Sequence, residues 1–224
     1  MPDVILYAHE ISGPCRAVLM TAHAIDLPLD VRKVNMAAKE HQTEEFTKIN
    51  PQRLIPAIND NGFTLSDSHA INCYLVSKYA KNDALYPKDL QKRARVDQFL
   101  HMDSSALFAA ARNAFTTMFR MKTEKGKNSK IEAPEANVQA MRDAYDSLNR
   151  FLEGRKWLVG DSYTLADISC ATTASCACVI LNLEDYPNVN AWLKRCELEL
   201  PGYKEHNEPG NNLLLKTMRS KLSA

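Results

Sequence analysis

The sequence predicts an α/β domain followed by an all-helical domain. The first observation behind this prediction is a change of pattern near residue 82. Before it, short β-type runs alternate with segments that have the apolar spacing of helices, and after it the spacing is helical throughout. The second observation is Asn61-Gly62, a strong hairpin-turn signal between two apolar runs. The length of 224 residues leaves room for two domains.

The first half contains seven predicted elements. In chain order they are a strand at 4–7, a helix at 14–24, a strand at 30–34, a short helix at 44–49, strands at 56–58 and 63–65, and a helix at 68–80. A crossover helix between the first two strands allows them to lie parallel, and the Asn-Gly turn makes the last two antiparallel. The resulting order, βαβαββα, is that of a thioredoxin-like domain.

A polar stretch containing Pro87 interrupts the pattern, so we expect a first domain at 1–81, a linker at 82–89 and a helical domain at 90–224. In that domain, six apolar residues share one helix face: Val138, Met141, Tyr145, Leu148, Phe151 and Leu152. A second helical pattern runs over 165–179, and Thr164 and Asp167 have the spacing of a capping box at its start. We also expect residues 211–224 to form an amphipathic helix that covers a cleft.

The composition excludes several classes of protein. Lys and Arg number 28 against 27 Asp and Glu, so no net field favours nucleic acid or an anionic membrane. The first residues lack a basic leader with a long apolar run, and no stretch reaches the roughly 18 apolar residues of a membrane span, so we expect a cytoplasmic protein. Six scattered cysteines without a CxxC pair predict reduced core thiols and no metal site.

Ser12 is the first candidate for chemistry. It lies between the first strand and the first helix, just outside a helix whose first position suits Pro14. A hydroxyl and free helix-start amides stabilise an anion such as a thiolate. Taken alone, Ser12 also fits an ordinary helix cap.

Two further loops are expected to lie beside Ser12. Pro56 at the start of a strand removes a hydrogen-bond donor and suggests a cis bond after Ile55, whose backbone would then pair with an extended peptide. Asp67 and Ser68 open the third helix, where free amides suit a carboxylate. Together the three loops predict a hydroxyl that activates a thiol, a backbone segment that pairs with a peptide, and a helix start that binds a carboxylate.

Four stretches between residues 12 and 170 carry a family resemblance: SGPCRAVLMTAHAI, INPQRLIPAINDNGFTLSDSHAINCYLVSKYAKNDALYPKD, RARVDQFLHMDSSALF and GDSYTLADIS. They resemble the cytosolic glutathione transferases, in particular the arthropod delta and epsilon classes. The SDSHAI segment and its continuation are closer to epsilon. The resemblance implies a homodimer with one glutathione per subunit as co-substrate and no metal or prosthetic group.

The resemblance also implies roles for single residues. Ser12 is similar to the catalytic serine that donates a hydrogen bond to the glutathione thiolate. The implied glutathione-binding residues are His41, Arg53, Ile55, Pro56, Asp67, Ser68, His69 and Arg112. Asp67 and Ser68 match the pocket for the γ-glutamyl end, and His41 a contact near the glycyl carboxylate. Arg53 departs from the family, which usually has histidine there, but arginine can hold the same carboxylate.

A hydrophobic second-substrate pocket is expected beside the thiol. It would be lined by Gly13 and by four residues on or near the face of a long fourth helix, Met36, Ala111, Phe115 and Phe119. Aromatic residues at that spacing also fit a helix core. Gly13 stands where the family often has proline, which would widen this pocket.

These residues predict conjugation of glutathione to hydrophobic electrophiles, as in xenobiotic detoxification. One alternative is thiol–disulfide chemistry, because Ser12-x-x-Cys15 imitates a Cys-x-x-Cys motif. Others are a glutathione-dependent isomerase, biosynthetic enzyme or peroxidase, and a non-catalytic carrier of hydrophobic ligands.

Overall fold

The first part of the chain forms a four-stranded sheet. The structure, a computed structural model, describes residues 3–125 and 132–222. The strands are β1 (Val4–Ala8), β2 (Asp30–Lys33), β3 (Ala57–Asp60) and β4 (Phe63–Ser66), in the order β2-β1-β3-β4. β1 and β2 are parallel, and β3 pairs antiparallel with both β1 and β4. The predicted parallel pair and Asn-Gly hairpin are therefore confirmed.

Three helices accompany the sheet: α1 (Gly13–Ala24), α2 (Glu44–Ile49) and α3 (Ser68–Tyr79). Alternate residues of β1, including Val4 and Leu6, belong to the main core together with side chains of α1 and α3. On the other face of β1, Tyr7 packs against Phe46 of α2. Because successive strand residues point to opposite faces, the sheet separates α2 from α1 and α3.

The rest of the chain is helical. The helices are α4 (Leu90–Met102), α5 (Phe108–Lys125), α6 (Glu135–Phe151), α7 (Leu165–Ala174), α8 (Pro187–Glu199) and α9 (Glu208–Leu222). The predicted fold, a thioredoxin-like α/β domain followed by an all-α domain, is confirmed.

α7 holds the two halves together. All ten of its residues are buried, and it packs against α1 of the first half as well as α4 and α8 of the second. Its predicted capping box is present, because Thr164 Oγ1 accepts from the amide of Ala166 and Asp167 Oδ2 accepts from the amide of Thr164. The core is thus continuous from β1 to α8.

Two helices in the structure end at residues other than those that the sequence predicts. The pattern over 165–179 predicts one helix, but α7 stops at Ala174 and a separate 3₁₀ turn covers Ala177–Val179. The Ser175 and Cys176 side chains bond to carbonyls three residues earlier, which competes with the helical ladder. The long fourth helix is also divided, since a π-helical turn at Asp103–Leu107 separates α4 from α5. Ala111 and Phe115 therefore lie on α5.

All six cysteines are free thiols, and four of them are buried: Cys15, Cys170, Cys176 and Cys196. Within 3–125 and 132–222, no helix has both the length and the apolar character that crossing a membrane requires.

Candidate active site

Ser12 caps the N-terminus of α1. Its Oγ accepts a hydrogen bond of 3.4 Å from the Cys15 amide, and its own amide donates to the His9 carbonyl at 3.0 Å. Pro14 occupies the first turn, where its missing N–H costs no helical bond. Because the hydroxyl oxygen is the acceptor in the cap, its proton stays available for another acceptor. The ordinary cap and the thiolate donor are therefore compatible roles of one side chain.

Ile55 and Pro56 form the second loop of the site. The bond between them is cis, as the sequence predicts. Asn50, almost fully buried, supports this loop because its Nδ2 donates to the Leu54 carbonyl at 2.8 Å and its Oδ1 accepts from the Gln52 amide at 3.0 Å. Regular pairing of β3 with β1 begins at Ala57, so Ile55 precedes the paired part of the strand.

Asp67 caps α3 in the third loop. Its Oδ1 accepts from the amides of His69 at 3.0 Å and Ala70 at 3.1 Å. Asp67 has a φ of 74°, a left-handed conformation that is uncommon outside glycine. Its carboxylate is exposed, next to the buried Ser68. A negative side chain is also favoured at this end of a helix by the helix dipole.

Asp103 is a site residue that sequence reasoning missed. It is 3% exposed in the π-helical turn, and its Oδ2 lies 2.9 Å from His69 Nε2. Burial alone would lower the pKa of His69, but the hydrogen bond and charge of Asp103, together with Asp67, raise it above its ordinary value. In the sequence, the only sign that Asp103 belongs to the site is its position in the LHMDSS segment.

These loops surround a cleft of about 260 Å³ between the two halves of the chain. Six predicted glutathione-binding residues line it: Ile55, Pro56, Asp67, Ser68, His69 and Arg112. Pro14 and Ala17 of α1 and Thr172 of α7 form another part of the lining, so the end of α1 that carries Ser12 adjoins the cleft. A larger groove of about 930 Å³ lies between the linker, α4 and the loop before α7, and none of the predicted site residues lines it.

His41 and Arg53 are not part of the lining of the smaller cleft. His41 lies in a 3₁₀ turn, Glu40–Gln42, and its buried Nδ1 has no hydrogen-bond partner among the described residues. Arg53 is exposed with a φ of 57°, and its Nε donates to Thr47 Oγ1 at 3.2 Å. Their predicted contacts with glutathione stay predictions.

The predicted hydrophobic pocket is spread over several elements. Phe115 packs beside Met118 and Met218, so α9 covers this part of α5. Ala111 is buried, and Met36 is 37% exposed. Phe119 lies in α5, but its side chain is outside the described part of the structure. Gly13 lies close to α7, because a Cβ on it would come within 3.3 Å of the Thr172 carbonyl oxygen.

Cys15 is poorly suited to redox chemistry. It is buried within α1, and this burial raises the pKa of its thiol to about 11. Since the thiolate is the nucleophile, such a thiol is inert near neutral pH. This weighs against the thiol–disulfide alternative. The described residues also contain no group of three or more His, Cys, Asp or Glu side chains able to hold a metal ion.

A thioredoxin-like sheet and a helix-start serine beside a two-domain cleft define a class of thiol-handling enzymes. A family model described as the glutathione S-transferase N-terminal domain matches residues 11–78, and one described as its C-terminal domain matches 106–199. The chain belongs to the glutathione S-transferase family and is an enzyme that conjugates glutathione.

Individual relatives give the same result. The chain is 40% identical to glutathione S-transferase 1 of Manduca sexta, with 97% of this chain and 98% of that protein covered. An epsilon-class glutathione S-transferase of Musca domestica is 37% identical, with a TM-score of 0.89 and 98% of each chain covered. A delta-class glutathione transferase of Nilaparvata lugens is 34% identical, also with a TM-score of 0.89, and 97% of this chain and 99% of that chain are covered. The resemblance to the delta and epsilon classes is confirmed.

Proposed function

We propose that this enzyme transfers glutathione to hydrophobic electrophiles and that Ser12 stabilises the reacting thiolate. The observation that carries the proposal is the geometry of the Ser12 hydroxyl, whose oxygen accepts from the Cys15 amide while its proton can donate. A hydrogen bond to a charged group contributes about 1.5–3 kcal/mol. This corresponds to about one to two pKa units, enough to bring a thiol of pKa near 8.5 toward neutrality.

Glutathione would lie along the cleft with its γ-glutamyl end toward Asp67 and Ser68. The exposed carboxylate of Asp67 complements the ammonium group of that end, and the amide and hydroxyl of Ser68, the first residue of α3, complement its carboxylate. The Ile55 backbone, preceding Pro56, would pair with the cysteinyl part of the tripeptide. His69 and Arg112 complete this side of the cleft, while His41 and Arg53 would hold the glycyl carboxylate.

The electrophile would bind on the side of Gly13, Met36, Ala111, Phe115 and Phe119. The apolar contacts of Phe115 with α9 favour hydrophobic molecules, which fits detoxification. We further propose a cytoplasmic homodimer, with a glutathione domain at 1–81, a linker at 82–89 and a helical domain at 90–224.

Replacing Ser12 tests the proposal. Ser12→Ala should raise the pKa of the bound glutathione thiol by about one to two units, because the hydrogen bond to the thiolate is lost. The pKa is read from thiolate absorbance in a pH titration of the binary complex, and turnover is followed with a chromogenic aryl halide. Ser147→Ala, a change at a half-buried serine of α6 whose hydroxyl donates to the Asp143 carbonyl of the same helix at 2.9 Å, is the matched control. An unchanged thiol pKa and turnover in Ser12→Ala would contradict the role of Ser12.

A further inference from the structure

Arg16 is a buried cation with no role in the proposed glutathione site. It is 1% exposed, and its guanidinium donates to four oxygens. These acceptors are Asn207 Oδ1 at 2.8 Å, the Ile11 carbonyl at 2.7 Å, the Thr172 carbonyl at 3.3 Å and the Glu10 carbonyl at 3.4 Å. Burial lowers the pKa of Arg16, yet arginine keeps its proton in proteins. The guanidinium therefore carries a constant positive charge, and its planar N–H groups donate in fixed directions.

The four acceptors lie on three separate parts of the fold. Glu10 and Ile11 are the two residues immediately before Ser12, and Thr172 belongs to α7 and lines the cleft. Asn207 lies in the π-helical turn that leads into α9. One planar side chain thus ties the Ser12 loop to α7 and to the start of the C-terminal helix.

Close packing around Arg16 supports this connection independently. A Cβ on Gly210, in the first turn of α9, would overlap the Glu10 carbonyl oxygen and come within 2.9 Å of Arg16 Cδ. A Cβ on Gly13 would be 3.6 Å from Arg16 Nη2. The backbone of α9 therefore presses directly on the loop that Arg16 holds, which leaves that loop little freedom.

No carboxylate forms an ion pair with Arg16 among residues 3–125 and 132–222. Its partners are three carbonyls and one side-chain amide, all neutral. The geometry therefore differs from that of a simple buried salt bridge. The planar fork provides several donors in fixed directions, a property that lysine does not share.

We propose that Arg16 is a positioning residue for thiolate stabilisation: anchored by Asn207, it fixes the Glu10–Ile11 backbone and so the direction in which the Ser12 hydroxyl donates. This inference rests on the proposed role of Ser12. It adds that the C-terminal segment, through Asn207, sets the ionisation of bound glutathione.

The decisive variant is Asn207→Ala in the full-length protein, because it removes the acceptor of Arg16 Nε and leaves Ser12 and Arg16 in place. A less well directed Ser12 hydroxyl should raise the pKa of the bound glutathione thiol by about half to one unit, measured by thiolate absorbance. At a pH at least one unit below the thiol pKa of the parent complex, turnover should fall by about three- to tenfold, because the thiolate fraction there changes in direct proportion to the ionisation constant. The glutathione dissociation constant should stay within about twofold, because the groups proposed to bind the tripeptide are untouched.

Matched variants separate positioning from general loosening. Ser175→Ala removes the bond that Asn207 Nδ2 donates to Ser175 Oγ at 3.4 Å, keeps the bond from Arg16 Nε to Asn207 and should leave the thiol pKa at the parent value. Asn211→Ala removes another buried amide of the C-terminal segment, one that donates to the Ser175 carbonyl at 3.2 Å and forms no hydrogen bond with Arg16 among the described residues. It should leave the thiol pKa unchanged. If Asn207→Ala folds poorly, Arg16→Lys is the alternative variant. It keeps the positive charge but loses the planar set of N–H donors, so it is expected to raise the thiol pKa in the same way.

A double variant decides whether Arg16 acts through Ser12. In a Ser12→Ala background, Asn207→Ala should produce no further rise in thiol pKa. Equal rises in both backgrounds, or an equal rise in Asn211→Ala, would overturn the positioning role. If Ser12→Ala raises the thiol pKa and Asn207→Ala does not, this inference alone fails. If Ser12→Ala itself leaves that pKa unchanged, the proposed role of Ser12 fails and the inference fails with it.

Discussion

Among the described residues, the guanidinium of Arg53 forms a hydrogen bond through one nitrogen. Its Nε bonds to Thr47, and its Nη nitrogens have no acceptor among the described residues, so they can reach a ligand carboxylate. We expect Arg53→Ala to weaken glutathione binding by about 1–3 kcal/mol, the scale of a hydrogen bond to a charged group. The contribution of Arg53, which is the difference in binding free energy between the parent and Arg53→Ala, should not change as the pH rises through the histidine range, because arginine keeps its charge. Isothermal titration calorimetry measures both.

Arg32→Ala is the control for this experiment, because Arg32 is an exposed arginine of β2 paired with Asp30. It should bind glutathione as the parent does. Equal dissociation constants for Arg53→Ala and the parent would mean that Arg53 points to solvent. His41 or Arg112 would then hold the glycyl end.

Asp60 at the end of β3 is a buried carboxylate with four donors. Lys78 Nζ, Tyr74 Oη and Tyr79 Oη each lie 2.7 Å from its Oδ2, and Asn61 Nδ2 lies 2.9 Å from its Oδ1. Burial alone would raise the pKa of Asp60, but the hydrogen bonds that it accepts hold this pKa well below its ordinary value. Ionised Asp60 therefore stabilises the fold above its unfolded-state pKa, near 4, and this contribution is lost as the pH falls below that value.

At pH 7, Asp60→Asn should lower the free energy of unfolding by about 2 kcal/mol, because charge-assisted bonds become weaker neutral ones. The difference between variant and parent should shrink as the pH falls below about 4. Urea unfolding at several pH values measures it, with the exposed Asp30→Asn as control. A difference that is constant from pH 7 to pH 3 would contradict the assignment.

At the scale of elements, the start of α7 depends on more than its cap. Asp167 Oδ1 accepts from the Leu158 amide and from Trp192 Nε1, both at 3.0 Å, in addition to its bond with Thr164. Thr164→Ala should cost about 1 kcal/mol of stability, as for other lost caps. Asp167→Ala removes the acceptor of four buried donors, the amides of Leu158 and Thr164, the Thr164 hydroxyl and Trp192 Nε1, and should cost about 3 kcal/mol or more. Chemical unfolding compares the two, and equal losses would mean that the bonds to Leu158 and Trp192 contribute nothing.

Asp161→Ala is the matched control for the start of α7. This carboxylate is exposed in the loop that precedes the cap. Its loss should change the stability by less than about 0.5 kcal/mol.

The packing of α9 on α5 depends on Met218. This residue is 1% exposed and contacts the cluster that contains Met118 and Phe115. Met218→Ala should lower stability by about 2–5 kcal/mol and reduce turnover with bulky hydrophobic electrophiles, since the wall behind Phe115 is lost. Glutathione affinity should be retained. Leu213→Ala is the control, because Leu213 lies on the same helix and is 39% exposed. If the two variants have equal effects, α9 is not part of the proposed pocket.

At the scale of the whole molecule, the two halves share one core. The cluster of buried residues runs from β1 through α1 and α7 to α8 without a break. Because α1 buries one side against α7, the first half cannot complete its core alone. The chain should therefore unfold in a single cooperative transition.

Two probes test this cooperativity. Trp157 and Trp192 are both buried in the helical half, so their fluorescence reports on that half, while amide exchange of β1 reports on the sheet. The two midpoints in urea should coincide. A sheet that loses protection at a lower urea concentration than the tryptophans would show that the halves unfold separately.

Much of the fold could be read from local signals. The order of strands and helices, the turn at Asn61-Gly62, the cap formed by Thr164 and the cis bond before Pro56 each depend on neighbouring residues. Helix ends were less predictable. The break after Ala174 depends on side chains that bond back to the helix, which apolar spacing does not record.

The sequence by itself determined the fold class, the family and the loops that hold Ser12, Ile55 and Asp67, because these follow from local motifs and periodicity. Only the tertiary structure decided the partners of buried polar groups. His69 meets Asp103, and Arg16 meets acceptors 156 and 191 positions away. A buried donor must find an acceptor wherever packing brings one, and no local pattern specifies which element will supply it.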